Sequence, residues 1–364
     1  ASISVAGEYG GNEGAFLLYG EDLDGVMISG AGRIDGRALD FTDGWQDEEQ
    51  RYIRRPLSWR PRGIGLFRSR NVKIRDITIV DAAQWTVHLT GCEDVLISGI
   101  TIRNRLDMPN CDGIDPDHCR NVRIADCDIE AGDDAVVIKN TREHRELGPT
   151  ENIIVSGCRL VSTSSGVKIG TESHGAFRNI IVSDCLVRDS HRGLAIQVRD
   201  TGPVEHVRFS NCRVETRLFH RKWWGRGEPI YITALPRHDG DDPPLVRNVS
   251  FDSIDCDAEH GVFCVGTAAR PLEDLQFRNI RLRMGRKTGW DAPERDVRPA
   301  HSEEHGGLEN DRVDAVRLEH VDGVTISGFS VSWGERRPEY SGLLGLENVY
   351  TLTVDRLSGG VPWA

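Results

Sequence analysis

A short phrase that returns along most of the chain constrains the fold more than any other feature of the sequence. It has the form N/D-V-x-I-S/R-x-C/I-x-I/V, and three of its copies read RNVKIRDITIV, RNVRIADCDIE and RNIIVSDCLVR. The first apolar residues of the copies are Val26, Val72, Val95, Val122, Ile153, Ile180, Val207, Val249, Leu275, Val324 and Val349. Several intervals between them lie between 23 and 31 residues, which indicates one structural unit per copy.

Each copy alternates apolar and polar residues with a period of two, which predicts a β-strand. The segments between copies contain Gly, Asp and Asn, which favour turns, and none holds the capped helical pattern of a crossover helix. Short strands that return in this way fit the coils of a solenoid, in which each coil buries its apolar face against its neighbours. The sequence therefore predicts an all-β, single-stranded parallel β-helix of about ten or more coils. An up-and-down β-sandwich would leave the repeated phrase unexplained.

Two residue types inside the repeat are expected to be structural. The Asn or Asp that opens each phrase should occupy a turn and hydrogen-bond along the solenoid axis to the next coil. Cys127, Cys158, Cys185 and Cys212 recur at spacings of 31, 27 and 27 residues, which predicts small buried side chains stacked in successive coils. The nine cysteines are odd in number and include no CxxC pair, so neither a zinc site nor a full disulfide framework is predicted.

Residues 1–364 are interpreted as a single domain, because a repeat architecture can grow to this length without a linker. Three long intervals, near residues 36–66, 216–245 and 284–320, are expected to leave the repeat as loops. Such loops can build the walls of a substrate cleft. Loops that block one end of the cleft would favour an exo-acting enzyme, which cleaves at the end of the polysaccharide.

Charge and hydropathy narrow the choice of partners. A net charge of −12 argues against nucleic acid, which binds to basic surfaces. No apolar run approaches about 18 residues, so no contact with a membrane is predicted. The first residues, ASISVAGEYGG, do not read as a secretory signal, which leaves a cytoplasmic location or a signal outside this sequence. No oligomeric state is indicated.

Acids interrupt the hydrophobic phrase in two segments, NCDGID at residues 110–115 and GDDAVVIK at residues 132–139. Aligned on their apolar residues, the two strands place Asp112 level with Asp134, and neighbouring coils lie about 4.8 Å apart. Asp112, Asp133 and Asp134 should therefore gather on one surface, where mutual repulsion raises at least one pKa. A glycosidase uses such a group as one protonated acid and one carboxylate. Acidic turns, or a calcium site that stabilises the stack, are the alternative interpretation.

The two acid segments together resemble the paired signature of the polygalacturonase family, glycoside hydrolase family 28, and GAGRIDG from Gly30 resembles an earlier family phrase. The resemblance implies a right-handed parallel β-helix that hydrolyses a pectic or related polysaccharide or oligosaccharide by inversion, without a metal or other cofactor. It implies that Asp133 is the general acid, that Asp112 and Asp134 activate water, and that Asn110 lies beside them. An inverting geometry would separate acid and base by roughly 6.5–9.5 Å. Because relatives of this kind are often exported, an extracellular or periplasmic location is also implied.

The sequence departs from the family pattern where galacturonate is bound. The family has Gly-His-Gly one coil after the acids, and this chain has SSG at residues 164–166. The family's Arg-x-Lys strand aligns with AIQ at residues 195–197. Both departures predict a sugar other than a plain uronate. His174 is a candidate replacement for the missing histidine, and an exposed turn residue is the alternative.

Other residues are candidates for contacts with the sugar. Lys168, Arg192 and Arg199 could supply cations from shifted positions, and a solvated surface charge is the alternative for each. Trp223 and Trp224 either form a platform for a sugar ring or pack against the solenoid. The full set of candidate substrate-binding residues is Asn110, Lys139, Lys168, Glu172, His174, Arg192, Gln197, Arg199, Trp223, Trp224, Arg226 and Glu228.

Two other functions stay open from the residues alone. A calcium-dependent polysaccharide lyase on the same fold would hold the ion with the acids and use Lys139 or Lys168 as its base. A non-catalytic carbohydrate-binding solenoid would bind sugar without turnover, and its acids would be ordinary turn residues.

Overall fold

The repeated phrase forms the stacked strands of a right-handed parallel β-helix, as the sequence predicts. The computed structural model describes residues 15–290, 294–298, 307–310 and 312–360. Val95 pairs with Val122, and Val122 pairs with Ile153, so equivalent residues of successive phrases lie one above the other. The repeat in the sequence is therefore the repeat of the coils.

The strands and two short 3-10 helices follow in chain order. The first are β1 (Phe16–Glu21), β2 (Met27–Ser29), β3 (Arg33–Asp35), a 3-10 helix (Ala38–Phe41), β4 (Thr42–Trp45), β5 (Arg54–Pro56), β6 (Arg62–Phe67), β7 (Arg70–Arg75), β8 (Thr78–Val80), β9 (Val87–Thr90), β10 (Glu93–Ser98) and β11 (Thr101–Arg103). The next are β12 (Ile114–Asp117), β13 (Arg120–Ala125), β14 (Asp128–Ala131), β15 (Val136–Asn140), a 3-10 helix (Arg142–Leu147), β16 (Thr150–Ser156), β17 (Arg159–Ser162), β18 (Ser165–Ser173), β19 (Phe177–Ser183), β20 (Leu186–Ser190) and β21 (Arg192–Val198). The last are β22 (Val204–Thr216), β23 (Ile230–Ala234), β24 (Val246–Ala258), β25 (Val262–Val265), β26 (Leu272–Arg278), β27 (Arg281–Met284), β28 (Glu294–Asp296), β29 (Leu308–Asn310), β30 (Val313–Trp333) and β31 (Tyr340–Ser358).

Each coil contributes strands to three faces of the helix. The phrase face contains β2, β7, β10, β13, β16 and β19, and it continues through β22, β24 and β26. The face that we call the acid face stacks β1, β6, β9, β12, β15, β18, β21, β23 and β25. The third face begins with β3, β8, β11 and β14. The long strands β30 and β31 close the described part of all three faces.

The core is a set of apolar columns that run along the helix axis. On the acid face, Ile114 pairs with Val136, Val136 pairs with Val167, and all three side chains are fully buried. On the phrase face, Phe251 stacks between Phe209 and Phe277, with ring centroids 4.8 and 5.4 Å apart. Because each coil is covered by the coils above and below, apolar burial extends along the whole stack.

The predicted polar ladder and the predicted cysteine column are both present. Asn121 donates to Asp94 Oδ1 at 3.0 Å, Asn152 donates to Asn121 at 3.1 Å, and Asn179 donates to Asn152 at 3.0 Å. Each of these asparagines has a positive φ, near 55°, a conformation that Asn tolerates better than most residues. All nine cysteines are buried and free, and the residues that directly follow Cys127, Cys158, Cys185 and Cys212 pair with one another in successive coils.

The predicted loop boundaries were wrong where strands of the helix lie inside them. β23 falls within 216–245 and continues the acid face, and β30 begins within 284–320. β23 carries no copy of the phrase, and β30 begins before its copy at Val324, so the repeat did not mark the start of either strand. Within 36–66 the chain forms a 3-10 helix and the β4–β5 hairpin before it enters β6. Part of 284–320 lies outside the described residues. Among the described helices, none is long and apolar enough to cross a membrane.

Candidate active site

Asp112 and the pair Asp133 and Asp134 lie just before the first residues of two paired strands, β12 and β15. Ile114 pairs with Val136, and the Gly113 amide donates to the Asp134 carbonyl at 3.0 Å, so Asp112 and Asp134 share one row. The glycine is required because a Cβ at position 113 would lie 2.3 Å from the Ala135 carbonyl oxygen. The neighbouring coils thus approach closely enough to bring their acids together.

The three predicted carboxyl groups converge. One oxygen from each of Asp112, Asp133 and Asp134 lies within 4.8 Å of the others. The residues are 2%, 7% and 1% exposed. Three buried carboxyl groups at this separation cannot all be ionised without a large cost in free energy. Their protonation is therefore decided by the groups around them.

Among the described residues, the hydrogen-bond donors to Asp133 are all neutral. The backbone amide and side chain of Asn110 donate to its Oδ2 at 3.2 and 3.4 Å, and the Asp134 amide donates to its Oδ1 at 3.0 Å. Asn110 is held in place by Arg60, whose Nη2 donates to its side-chain oxygen at 2.7 Å. Burial, with the neighbouring charges of Asp112 and Asp134, raises the pKa of Asp133 to about 8. At neutral pH this carboxyl group carries a proton.

Asp134 is adjacent in sequence, but its surroundings favour the ionised form. Its carboxylate forms an ion pair with Lys168, and the Ser165 amide donates to its Oδ1 at 3.0 Å. Burial alone would raise the pKa of Asp134, but the charges of Lys168 and Lys139 outweigh burial and hold it below its usual value. The pair Asp133 and Asp134 thus combines a proton donor with a carboxylate.

A fourth acid, Asp115, belongs to the same cluster and was missed in the sequence. Lys139 Nζ lies 3.4 Å from Asp112 and 3.5 Å from Asp115, and it stands 4.4 Å from the centre of the Trp85 ring. Burial, followed by the charge of Asp115, raises the pKa of Asp112 to about 8, and burial raises the pKa of Asp115 to about 7. The strand period could have revealed Asp115, because Ile114 points inward and the next side chain must point outward.

A second polar network, buried beside the acids, contains several predicted sugar contacts. Arg192 follows Asp134 and Ser165 in the same row of the acid face. Its guanidinium group lies over the Tyr231 ring at 3.7 Å, donates to Glu228 at 3.4 Å, and comes within 3.6 Å of Asp296. These partners hold Arg192 inside the protein.

Gln197 and Arg199 are covered by the segment that contains Asp296. Gln197 donates to the Arg298 carbonyl at 3.2 Å, and Arg199 donates to the Val297 carbonyl at 3.0 Å. Lys168, Arg192 and Arg199 are 9%, 2% and 1% exposed, so the interpretation as solvated surface charges is wrong for all three. The covering segment lies about 100 residues further along the chain, beyond the reach of any local sequence pattern.

The tryptophan loop packs against the solenoid. Trp223 is buried and is not an exposed platform, whereas Trp224 is half-buried. Arg226 donates to the Gly225 carbonyl at 2.6 Å, and its backbone amide donates to Glu228 at 2.7 Å. Arg226 and Glu228 therefore bind protein groups, and the expected hydrogen bonds to sugar hydroxyls are not supported.

His174 and Glu172 lie apart from the acids. His174 Nε2 is 3.4 Å from Asp200, and its backbone amide donates to Asn140 at 3.0 Å. Glu172 accepts a hydrogen bond from the Arg142 amide at 3.4 Å. None of these contacts involves Asp112, Asp133 or Asp134, so they do not support His174 as the replacement for the missing histidine, and that role stays a prediction.

Comparison with known proteins gives the family. A sequence model of the glycosyl hydrolases family 28 matches residues 6–217, more than half of the chain. The chain belongs to this family. A probable polygalacturonase of Vitis vinifera is 32% identical over 167 residues, which cover 44% of this chain and 33% of the relative. A second one, from Arabidopsis thaliana, is 26% identical over 192 residues, which cover 47% of this chain and 39% of the relative.

Solved structures agree with family 28 at the level of the fold. An exopolygalacturonase from Thermotoga maritima superposes with a TM-score of 0.61 at 23% identity, covering 97% of this chain and 76% of that one. An endopolygalacturonase from Stereum purpureum, solved with two galacturonates, has a TM-score of 0.52 at 13% identity, covering 92% and 79%. The chain spans between 33% and 39% of the length of these two curated relatives.

Proposed function

We propose that this family 28 chain hydrolyses glycosidic bonds of a pectic or related polysaccharide, with Asp133 as the general acid. The observation that supports this most is the contrast between Asp133, whose pKa is raised to about 8, and Asp134, whose pKa is lowered. Two titratable groups with divergent pKa values in one buried site are the usual arrangement for acid and base work. Family membership supports inversion as the stereochemical course.

We infer that a single water can bridge the acid and the base. Oxygens of the acids lie within 4.8 Å of one another, which is shorter than the roughly 6.5–9.5 Å expected for inverting enzymes. Two hydrogen bonds of about 2.7 Å each can still join two such oxygens through a single water. Asp134 would accept the proton of that water, while Asp133 protonates the leaving oxygen. Asp112, which shares Lys139 with Asp115, would orient the water.

The sugar at the cleavage point is proposed to be other than a plain uronate. Where the family places Arg and Lys, Ala195 and Gln197 are fully buried beneath the segment 295–298. The nearby cations have partners already: Lys139 lies between Asp112 and Asp115, and Lys168 pairs with Asp134. A uronate carboxylate would have to displace one of these partners, whereas a neutral sugar would not. The same segment covers one end of the acid face, which supports attack from a chain end.

The test measures the release of reducing ends from a panel of pectic and neutral polysaccharides. NMR in real time identifies the anomer of the product that forms first. Wild type is expected to release an inverted anomer, and Asp133→Asn to lose at least about a hundredfold in kcat. Equal turnover by both proteins would remove Asp133 from the mechanism. A retained anomer would refute inversion, and absence of turnover on every substrate would favour the binding solenoid.

The lyase alternative is disfavoured by the state of Lys139. Burial lowers its pKa, but the flanking charges of Asp112 and Asp115 outweigh burial and raise it, so the amine stays protonated and cannot act as a base. Activity is expected to survive EDTA, and the products are expected to lack the ultraviolet absorbance of an unsaturated sugar. Loss of activity with EDTA that added calcium restores would support the lyase instead.

A further inference from the structure

Three excursions from the repeat meet at a pocket on the side of the helix, separate from the acids. Tyr52 comes from the β4–β5 hairpin, Phe219 and His220 come from the chain after β22, and Trp290 follows β27. Arg51 and Arg105 add two guanidinium groups to the lining. The cavity has a volume of about 560 Å³, within the range of a small-molecule site.

Aromatic rings form the floor and one wall of this pocket. The rings of Tyr52 and His220 stack with centroids 3.8 Å apart and planes 9° apart. Trp290 meets His220 edge to face at 4.6 Å and stays 36% exposed. An exposed indole beside a rigid aromatic stack offers an apolar surface with a polar edge, which suits a ring that is itself half apolar and half polar.

His220 leaves a hydrogen-bond donor unused at this floor. Its Nδ1 accepts from the Lys222 amide at 3.3 Å. Burial, followed by the charge of Lys222, lowers the pKa of His220 to about 4, so the neutral ring carries its proton on Nε2. Among the described residues, Nε2 has no hydrogen-bond partner. An unpaired buried donor costs free energy.

The charge of the pocket is positive. Asp107 is shared by Arg54 and Arg105, at 3.0 and 2.9 Å, so one carboxylate balances two guanidinium groups. Arg51 is exposed and donates from Nε to the Glu48 carbonyl at 3.1 Å. Within the part of the chain that the structure describes, Arg51 has no ion pair. An anionic ligand would therefore find an available guanidinium group beside an aromatic surface.

The pocket and the acids share the loop between β11 and β12. Arg105 lies at the start of this loop, and its carbonyl oxygen accepts from Cys111 Sγ at 3.5 Å. Asn110, at the end of the loop, donates to Asp133. A sugar chain that occupies both places would contact this one short segment twice.

We propose that this pocket is an accessory site that binds a uronic acid unit of a polysaccharide, with the sugar ring on Trp290 and its carboxylate at Arg51. The substrate would then carry a uronate away from the cleavage point as well as a different sugar at that point. The inference rests on the proposed function only in taking a polysaccharide as the ligand.

The test is isothermal titration calorimetry of hexagalacturonate into the protein carrying Asp133→Asn, with chromatography of the ligand after each titration to verify that it is uncleaved. Adding Trp290→Ala is expected to weaken binding about tenfold, and Arg51→Gln about fivefold, the latter effect shrinking in high salt. Tyr350→Ala removes a ring that is 56% exposed on β31 and serves as the matched control, with no expected change. Circular dichroism confirms that each variant is folded.

Several outcomes would overturn the inference. If Trp290→Ala binds as tightly as Tyr350→Ala, or if hexagalacturonate does not bind, the pocket is not a uronate site. If neutral galactohexaose shows the same dependence on Trp290 and Arg51, the charge argument is wrong. Because the readout is binding, these results are independent of whether Asp133 is catalytic.

Discussion

Asp133 and Asp134 are neighbours in sequence with opposite shifts in pKa, and the difference comes from what each carboxyl group contacts. Asp134 has Lys168 and a backbone amide, whereas Asp133 has an amide side chain and two backbone amides. The same burial that is offset at Asp134 is therefore dominant at Asp133. One coil of the helix therefore supplies both a protonated and an ionised carboxyl group.

The raised pKa of Asp133 predicts a pH-dependent gain of stability when its charge is removed. A folded-state pKa of about 8 lies above the unfolded value, so its contribution is present below about pH 4 and lost as pH rises toward 8. Asp133→Asn is expected to be about 1–2 kcal/mol more stable than wild type at pH 8, with little difference at pH 4. Chemical denaturation at both pH values measures this.

Asp128→Asn is the matched control for that measurement. Arg103 and Arg159 flank Asp128, and although burial raises its pKa, these charges hold it below its usual value. Its stabilising contribution is present above the unfolded pKa and lost as pH falls through the lower folded value. Asp128→Asn should therefore be less stable than wild type at pH 8. A loss of stability in Asp133→Asn at pH 8 would contradict the assigned protonation.

The convergence of three acids could be predicted from the sequence, but the burial and ion pairing of Arg192 could not. Strand period and repeat length place Asp112 level with Asp134 by geometry alone. Arg192 is neutralised by Asp296, which is 104 residues away and lies in a segment outside the repeat. Local patterns carry no information about such a partner.

At the scale of the element, the turn that opens each phrase strand is held by its neighbours in the stack. Asn152 accepts from Asn179 and donates to Asn121, and it does so with φ at 59°. The residue therefore serves two needs, a left-handed backbone and a pair of side-chain hydrogen bonds.

Asn152→Ala is expected to cost about 2 kcal/mol, since both hydrogen bonds and the tolerance for positive φ are lost. Asn152→Gly loses the hydrogen bonds but keeps the backbone tolerance, so its cost should be about 1 kcal/mol. Urea denaturation of the two variants separates the contributions. Equal costs would show that the left-handed backbone carries no penalty here.

β23 shows why one element escaped prediction from the sequence. The strand reads IYITA and is buried on both sides, because Tyr231 lies beneath Arg192 and donates to the Asp296 carbonyl at 2.7 Å. Strands covered on both faces lose the simple alternation of apolar and polar residues. Its place in the helix follows from the coils around it and not from its own pattern.

At the scale of the whole molecule, stability is distributed along the axis, since each coil contacts only its neighbours. Phe251→Ala would open a cavity between Phe209 and Phe277 at an expected cost of about 3–5 kcal/mol. Hydrogen exchange followed by mass spectrometry should show faster exchange in β22, β24 and β26, while β12 and β15 stay protected. Uniform acceleration in every coil would instead show that the helix unfolds as one cooperative unit.

Because β12 and β15 approach closely at Gly113, the acids at the start of these strands keep their places when the surrounding loops change. The spacing of Asp112 and Asp134 is set by the rise from one coil to the next, a constant of the backbone. The hairpin and the loops that carry Tyr52, His220 and Trp290 could therefore be exchanged with this spacing kept, provided that the contact between Arg54 and Asp107 is retained. A designer could retarget the scaffold by grafting these loops alone and leaving the coils untouched.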